Sequence, residues 1–180
     1  MREVIHKVFF AWNFKEEEKW LDKMSEHGLN LVNVGFCKYE FEEGVPGEYS
    51  YRMELMDHFP RSAEGIEYVR FVEETGAELV ATYLRWAYFR KKTADGPFEL
   101  FSDVDSRIRH INRLITLLLL VGGGNILIGM VNVSAYITRG FVGNGSIGTV
   151  NILLGLLVFF GIWKINKAKL NMKKERALHE

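Results

Sequence analysis

Residues 114–137 read LITLLLLVGGGNILIGMVNVSAYI, and residues 147–165 read IGTVNILLGLLVFFGIWKI. A helix needs about 20 apolar residues to cross the hydrocarbon core of a bilayer, so either stretch is long enough to do so. The mean hydropathy of the whole chain is only -0.03, which makes such a local concentration of Leu, Ile, Val and Phe unusual. The two stretches predict a transmembrane helical hairpin over residues 114–165, and hence a multi-pass protein of the cell membrane.

The two halves of the chain carry opposite charge, although the net charge of the whole is zero. Residues 1–106 contain 13 basic and 21 acidic side chains, whereas residues 107–180 contain 10 basic and 2 acidic ones. Because the cytoplasmic flanks of membrane helices are enriched in Lys and Arg, this distribution predicts that both termini lie in the cytoplasm. An acidic soluble half also argues against nucleic acid as a partner, since nucleic-acid-binding domains carry a basic face.

Basic side chains cluster at the cytoplasmic ends of both predicted spans. They fall in or near a linker and juxtamembrane segment, residues 93–113, and a basic cytoplasmic tail, residues 166–180. Each such charge near an anionic leaflet contributes about 1 kcal/mol of attraction. Membrane lipid is therefore an expected partner, and the expected contacts are Arg109, Arg113, Lys164, Lys167 and Lys169.

The first 92 residues show six strand and helix patterns. Two amphipathic helices are each followed by a glycine, the usual left-handed helix stop, and then by a long apolar strand. The helices are predicted over residues 15–27 and 63–75, and the strands over residues 3–12, 29–42, 49–57 and 77–92. The predicted order is βαββαβ.

The two helix–glycine–strand units repeat at an offset of 48 residues. Trp20 and Gly28 align with Tyr68 and Gly76. Two βαβ units joined by a turn form the ferredoxin-like split βαβ sandwich, an α+β fold with both helices on one face of an antiparallel sheet. The sequence therefore predicts a ferredoxin-like cytoplasmic domain over residues 1–92.

Several short motifs carry a resemblance to a known family. They are Lys19-Trp20-Leu21, Gly28-Leu29-Asn30-Leu31-Val32, Pro46-Gly47-Glu48-Tyr49, Arg85-Trp86 and Phe98-Glu99-Leu100-Phe101-Ser102-Asp103. Over residues 5–115 the chain resembles an uncharacterised bacterial family of domains of unknown function, mostly of Firmicutes. Members of that family are often encoded beside PadR-type transcriptional repressors, and many carry C-terminal spans. The resemblance implies a regulatory context, but no activity and no site residue.

The soluble half lacks the spacing of any familiar catalytic or metal motif. Its histidines are scattered, and its single cysteine, Cys37, lies in an apolar stretch predicted to be the middle of a strand. No nucleophile–base order, phosphate loop or dinucleotide fingerprint is present in the sequence. We therefore expect no enzymatic activity, no metal and no cofactor.

The final predicted strand carries large side chains on both of its faces, whereas a strand with one solvated face alternates. Trp, Tyr and Arg are typical anchors of binding surfaces. We expect Tyr83, Arg85, Trp86 and Tyr88 to form a partner or ligand surface on the open face of the sheet. Two kinds of occupant stay open: a cover within the protein, either Phe98–Phe101 or a second copy, and a distinct partner or ligand.

Small and amide residues recur along one face of each predicted span. Small residues let two helices approach closely, and Asn can form a hydrogen bond across the interface, which contributes about 1 kcal/mol. The expected packing seam of the hairpin, which could extend to a homo-oligomer, consists of Gly122, Asn125, Gly129 and Asn132 in the first span and Gly148, Asn151 and Gly155 in the second.

These features favour a membrane-anchored cytoplasmic module for sensing or regulation. It would bind a protein partner, such as a regulator, or a small ligand on its open sheet face. The alternative is an accessory subunit of a membrane transporter or efflux system, in which the hairpin docks on a larger membrane protein. Loss of the hairpin alone would destroy the second function, whereas a sensing domain could keep its ligand binding.

Overall fold

The computed structural model describes residues 2–101 and 103–179, with side chains described as far as Lys174. The α+β class is confirmed, because strands and two short helices come first and two long apolar helices follow. Met1–Ser106 and Arg107–Glu180 form two compact units. Ser102 of the predicted linker and Glu180 of the predicted basic tail lie outside the described residues.

The first unit begins with a βαββ repeat. Strand β1 (Arg2–His6) and a short 3₁₀ turn (Ala11–Asn13) precede helix α1 (Phe14–Glu26), and strands β2 (Leu29–Gly35) and β3 (Lys38–Glu43) follow as a hairpin. β3 lies between β1 and β2 and is antiparallel to both. β1 and β2 are therefore parallel, and α1 is the crossover that connects them.

A second βαββ repeat has the same arrangement. It comprises β4 (Tyr49–Leu55), α2 (Ala63–Glu73), β5 (Glu78–Tyr83) and β6 (Trp86–Lys92), with β6 between β4 and β5. The described residues thus form two three-stranded antiparallel sheets, one for each repeat.

Local irregularities of the backbone also recur at the offset of 48 residues. Gly28 and Gly76, which follow the two helices, both have positive φ. A register shift interrupts β2 after Leu31 and β5 after Leu79. Such a shift changes the face of the sheet to which the following side chains point. The two repeats therefore share this structural irregularity as well as their sequence pattern.

The predicted ferredoxin-like order βαββαβ differs from the observed one, because two of the four predicted strands, residues 29–42 and 77–92, are hairpins, and the predicted first strand, residues 3–12, ends at His6. The predicted second strand turns at Phe36-Cys37, and the predicted last strand turns at Leu84-Arg85. Two-residue turns usually place Gly, Asn or Asp where φ is positive. Here Cys37 and Leu84 have φ of 52° and 53°. Because these residue types are not typical of turns, the sequence gives no signal for either hairpin. Cys37 is consequently a turn residue and does not lie in the middle of a strand.

Helix α1 joins the two repeats by covering the outer edge of β4. Side chains on one stripe of the helix accept hydrogen bonds from every second backbone N–H of that strand. The pairs are Tyr49 N to Ser25 Oγ (3.2 Å), Tyr51 N to Asp22 Oδ1 (2.6 Å) and Met53 N to Glu18 Oε1 (3.1 Å). An open strand edge is a template for wrong pairing, so this stripe both satisfies and protects β4. In α2 the corresponding residues are Ile66, Arg70 and Glu73, all exposed.

The segment after β6 completes the core of the second repeat. Residues 97–101 form no strand, but Phe98 is buried together with Val69, Val72 and Phe89. Because this side chain belongs to the core, the first unit continues beyond strand β6 and extends to residue 106.

The second unit is a pair of long helices, α3 (Val104–Arg139) and α4 (Val142–His179). At 1.5 Å per residue they are about 54 and 57 Å long, which exceeds the ~30 Å of a hydrocarbon core. Both helices are long and apolar enough to span a membrane. Gly140 has a φ of 72° and lets the chain reverse within two residues, so the connection is shorter than the nine residues between the predicted spans.

Candidate functional site

The four residues predicted to form one binding surface lie in different surroundings. Tyr83 ends β5, Arg85 lies in the turn, and Trp86 and Tyr88 belong to β6. Arg85 donates from Nε and Nη2 to two main-chain carbonyls just after β4, at 2.9 and 3.0 Å. Its guanidinium therefore fixes the end of β4 beside the turn. Tyr83 and Trp86 are half-buried and Tyr88 is buried, so the four side chains do not share one open face.

Tyr88 takes part in a buried polar cluster at the centre of the first unit. Its hydroxyl and that of Tyr39 donate to the same oxygen, Oε1 of Glu17, at 2.9 and 2.7 Å. Glu17 is only 5% exposed. Burial raises the pKa of this carboxyl above its ordinary value, although the two hydroxyl donors oppose the rise. The cluster links α1 to both sheets, because Tyr39 lies in β3 and Tyr88 in β6.

The geometry of this cluster favours a structural role over acid–base chemistry. Burial also raises the pKa values of Tyr39 and Tyr88, so both hydroxyls remain protonated donors to Glu17. The carboxylate is occupied by two donors and is shielded from solvent, which leaves it no approach to a reactant. Within the part of the chain that the structure describes, no group of three or more His, Cys, Asp or Glu side chains could hold a metal ion.

A groove of about 270 Å³ opens between α2 and the segment that follows β6. Its lining combines aromatic and aliphatic side chains with polar and charged ones, and the polar and apolar surfaces are of similar size. It consists of Tyr68, Phe71, Val72, Thr75, Lys91, Pro97, Phe98, Glu99 and Leu100. Since Val72 and Phe98 also belong to the core of the second repeat, the floor of the groove is well packed.

The two aromatic side chains of α2 in the groove, Tyr68 and Phe71, are positioned by contacts within the protein. Tyr68 Oη donates to Glu54 Oε2 at 2.6 Å, and Glu54 is itself buried. The Tyr68 ring lies against Phe71, with 6.4 Å between ring centroids. Tyr68 therefore presents a fixed ring, whereas Phe71 is 62% exposed and offers a free ring face at the solvent side.

Lys91 gives the groove a positive charge. Its Cε lies 3.8 Å from the position that a Cβ on Gly76 would occupy, so the side-chain stem runs along the glycine that follows α2. Among the described residues, the Lys91 ammonium has no hydrogen bond or ion pair, whereas Glu99 has interactions within the protein. The preceding basic residue, Arg90, is paired with Glu78 at 2.9 Å. A groove that combines aromatic side chains with a cation that makes no hydrogen bond or ion pair among the described residues is suited to a ligand that joins an apolar ring to an anionic group.

The glycines of the predicted transmembrane seam lie where α3 and α4 meet. A Cβ on Gly129 would fall 2.9 Å from the carbonyl oxygen of Gly148, and one on Gly155 would fall 3.1 Å from that of Gly122. A larger residue at either position would force the helices apart. The four glycines therefore bring the two helix backbones together within one chain.

Among the residues that the structure describes, the three asparagines of the predicted seam make no hydrogen bond across it. Each donates instead to a carbonyl one turn earlier in its own helix, as short polar side chains often do. The pairs are Asn125 to Val121 (2.8 Å), Asn132 to Ile128 (2.9 Å) and Asn151 to Ile147 (2.9 Å). One N–H of each amide is thus used within its own helix, and among the described residues the expected amide hydrogen bonds between the two spans of one chain are not formed.

The five residues predicted to contact anionic lipid lie toward the ends of α3 and α4 that are far from their connecting turn. Arg109, Lys164 and Lys167 are exposed, and Arg113 and Lys169 are half-buried. Lys169 Nζ donates to Asn112 Oδ1 at 2.6 Å and so links the two helices beyond their apolar stretches. Lys167 Nζ lies 5.6 Å from the ring centroid of Trp163, which is within the range of a cation–π contact.

Comparison with known proteins identifies a family and no characterised relative. A family model described as a protein of unknown function (DUF2812) matches residues 13–122, which is more than half of the chain. No curated protein matches, and no solved structure matches. The matched range contains the whole groove, the Glu17 cluster and the first half of α3.

Proposed function

The chain belongs to the DUF2812 family of proteins of unknown function, and we propose that it is a membrane-anchored sensing module that binds a small apolar anion in the groove between α2 and residues 97–100. It acts by binding and not by catalysis. The proposal keeps the regulatory role expected from the sequence and moves the binding site from the sheet face to the groove.

One wall of the groove is also the link to the helical hairpin. Pro97–Leu100 lines the groove, and α3 begins at Val104, after residues 101–103. A ligand that packs against this wall therefore acts on the residues that lead directly into the first long helix. This continuity carries the proposal, because a sensor must couple ligand binding to a change elsewhere in the molecule.

The lining of the groove defines the ligand class. Tyr68 and Phe71 offer aromatic surface to a flat ring, and the buried Phe98 lies beneath them. Lys91 offers a positive charge that makes no hydrogen bond or ion pair among the described residues, and the Glu99 carboxylate of the same lining has its own interactions within the protein. The volume of about 270 Å³ is slightly below the range of about 300–1,000 Å³ that is usual for ligand pockets. The groove therefore suits an aromatic carboxylate with a single ring.

The membrane anchor in this proposal is the pair α3 and α4. Both helices are long and apolar enough to span a bilayer, and the basic side chains at their far ends favour a cytoplasmic location for both termini and the first unit. Arg109, Arg113 and Lys164 would then face anionic headgroups. A transcriptional output agrees with the resemblance to a family often encoded beside PadR-type repressors.

The test uses the full-length protein in lipid nanodiscs and para-fluorophenylacetate as the probe. We expect the fluorine NMR signal of the probe to broaden with loaded nanodiscs and not with empty ones. Lys91→Ala should abolish the broadening, because the carboxylate loses its cation. Lys92→Ala is the matched control, since this neighbouring lysine is exposed and does not line the groove. Equal broadening by both variants, or none by the wild type, contradicts an anion site in the groove.

Coupling to the hairpin is measured separately, by hydrogen exchange of residues 97–110 with and without the probe. We expect the probe to protect this segment in the wild type and not in Lys91→Ala. Binding without a change in exchange would favour the accessory-subunit alternative, in which the hairpin contacts a larger membrane protein and the groove has no output.

A further inference from the structure

We propose that the helical hairpin pairs with a second copy of itself through the flank that carries Asn125, Asn132 and Asn151, here called the amide flank. The inference rests on the proposed function in one respect only, namely that α3 and α4 lie in a bilayer. The glycine seam holds the two helices of one chain together, and the amide flank holds two chains together.

The three amides lie on the same side of the hairpin. Each follows a seam glycine by three residues, which places it about 60° to one side of the line of contact between the helices. The sense of this offset is the same in both helices. Because α4 runs antiparallel to α3, an equal offset brings Asn151 to the same flank as Asn125 and Asn132.

The contacts between the helices also fix the depth of each amide. Gly129 lies against residues 148–152, so Asn151 is at a level between Asn125 and Asn132. With a rise of 1.5 Å per residue, the three amides are spaced at intervals of about 5 Å along the flank. They form a short ladder that runs parallel to the helix axes.

Lipid chains cannot form hydrogen bonds with the three amides of this ladder. Each amide uses one N–H for its own helix and makes no other hydrogen bond among the described residues. Each therefore keeps an unused carbonyl oxygen and an unused N–H, which hydrocarbon leaves unpaired. Neither apolar stretch carries a charged residue before Lys164. A partner for this flank must consequently offer amides or other neutral polar groups at the same depths.

A second copy of the hairpin meets this requirement. An amide is both donor and acceptor, and a two-fold axis along the membrane normal keeps every residue at the depth of its own copy. The three amides of one chain then lie at the same three depths in the bilayer as the three amides of the other chain, and can form hydrogen bonds with them. On the opposite flank, Leu127 and Leu153 follow their seam glycines by five residues and are 66% and 60% exposed, which suits contact with lipid.

The test counts subunits of the full-length protein in vesicles of phosphatidylethanolamine and phosphatidylglycerol. The protein is labelled at Cys37, its single cysteine, and photobleaching steps are counted as the protein is diluted in lipid. We expect dimers that dissociate on dilution. Asn→Leu at any one position of the amide flank should shift the transition to about five-fold higher protein density, and the triple variant to about 100-fold higher density.

Two matched controls and one rescue accompany these variants. Leu127→Ala and Leu153→Ala change the opposite flank and should leave the transition unchanged, while Asn125→Gln keeps an amide and should retain much of the association. Monomers at every density, or Asn→Leu variants that associate like the wild type, overturn the inference. Extraction of the wild-type chain from membranes by alkaline carbonate overturns the membrane anchor of the proposed function instead, so the two failures are distinguishable.

Discussion

Replacing Phe98 with alanine should destabilise the first unit far more than replacing Phe71, although both side chains line the same groove. Phe98 is 5% exposed and Phe71 is 62% exposed. Burying a phenylalanine removes roughly 150–250 Å² from water, which contributes about 4–6 kcal/mol at 25 cal/mol per Å². Measured Phe→Ala changes in cores cost about 3–5 kcal/mol. For Phe71 the smaller buried fraction leaves about 1–2 kcal/mol.

The assay is thermal unfolding of the full-length protein in nanodiscs, followed by tryptophan fluorescence. A Trp163→Phe background leaves Trp12, Trp20 and Trp86, all in the first unit, as reporters. For a domain of this size 1 kcal/mol corresponds to about 4–8 °C in the unfolding midpoint. Phe98→Ala should therefore lower the midpoint by at least about 12 °C, and Phe71→Ala by about a third as much.

Equal midpoints for the two variants would refute this reasoning. They would mean that Phe98 is not held in the core and that residues 97–100 are not fixed to the first unit. The proposed coupling between the groove and α3 would then lose its physical basis, even if a ligand still bound.

Three further changes test other parts of the structure. Asp22→Ala should cost about 2–3 kcal/mol in the fluorescence assay, because Asp22 accepts a backbone N–H at 2.6 Å and an arginine Nη1 at 2.9 Å; Lys23→Ala, on the exposed side of α1, should cost little. Burial raises the pKa of Glu17, so the native state keeps this proton to higher pH than the unfolded chain does. The stability of the wild type relative to Glu17→Gln should therefore be greatest below the unfolded-state pKa and fall as pH rises through the native one, and a constant difference between about pH 4 and 8 would contradict this. Gly129→Val should loosen the hairpin, because its Cβ would meet a carbonyl of α4 at 2.9 Å, whereas Gly124→Val, with nothing within 4 Å, should not; compaction in SDS electrophoresis distinguishes the two.

The repeat was predictable from the sequence because its markers are local. Gly28 and Gly76 end the helices by their own conformational preference, and the apolar pairs that follow them indicate strands. The two hairpins were not predictable, since Cys37 and Leu84 seldom adopt positive φ and do so here within a surrounding structure that imposes it. Arg85 is part of that structure, because its hydrogen bonds to carbonyls after β4 hold the second turn in place.

The glycine seam was also predictable, because helical spacing reports directly on which residues share a face. The buried cluster and the groove were not, since they join residues that are distant in sequence. Glu17 meets Tyr39 and Tyr88 across 22 and 71 positions. Tyr88 was expected at a surface because strand periodicity does not distinguish a solvated face from one covered by another element. The groove forms because burial of Phe98 holds residues 97–100 beside α2, and this long-range packing leaves no local signal in the sequence.

The polar stripe on α1 makes the first repeat dependent on the second while the chain is being synthesised. Glu18 finds its backbone partner in Met53, which emerges 35 residues later. In the same way the N–H of Leu31 finds its acceptor in the hydroxyl of Tyr51, at 3.0 Å. Until β4 has left the ribosome, these groups stay hydrated and the first sheet cannot close against its neighbour. A nascent chain that stalls before β4 therefore holds a complete first sheet that lacks the second sheet as its neighbour, and such exposed surface favours aggregation. The apolar helices are synthesised only after β4.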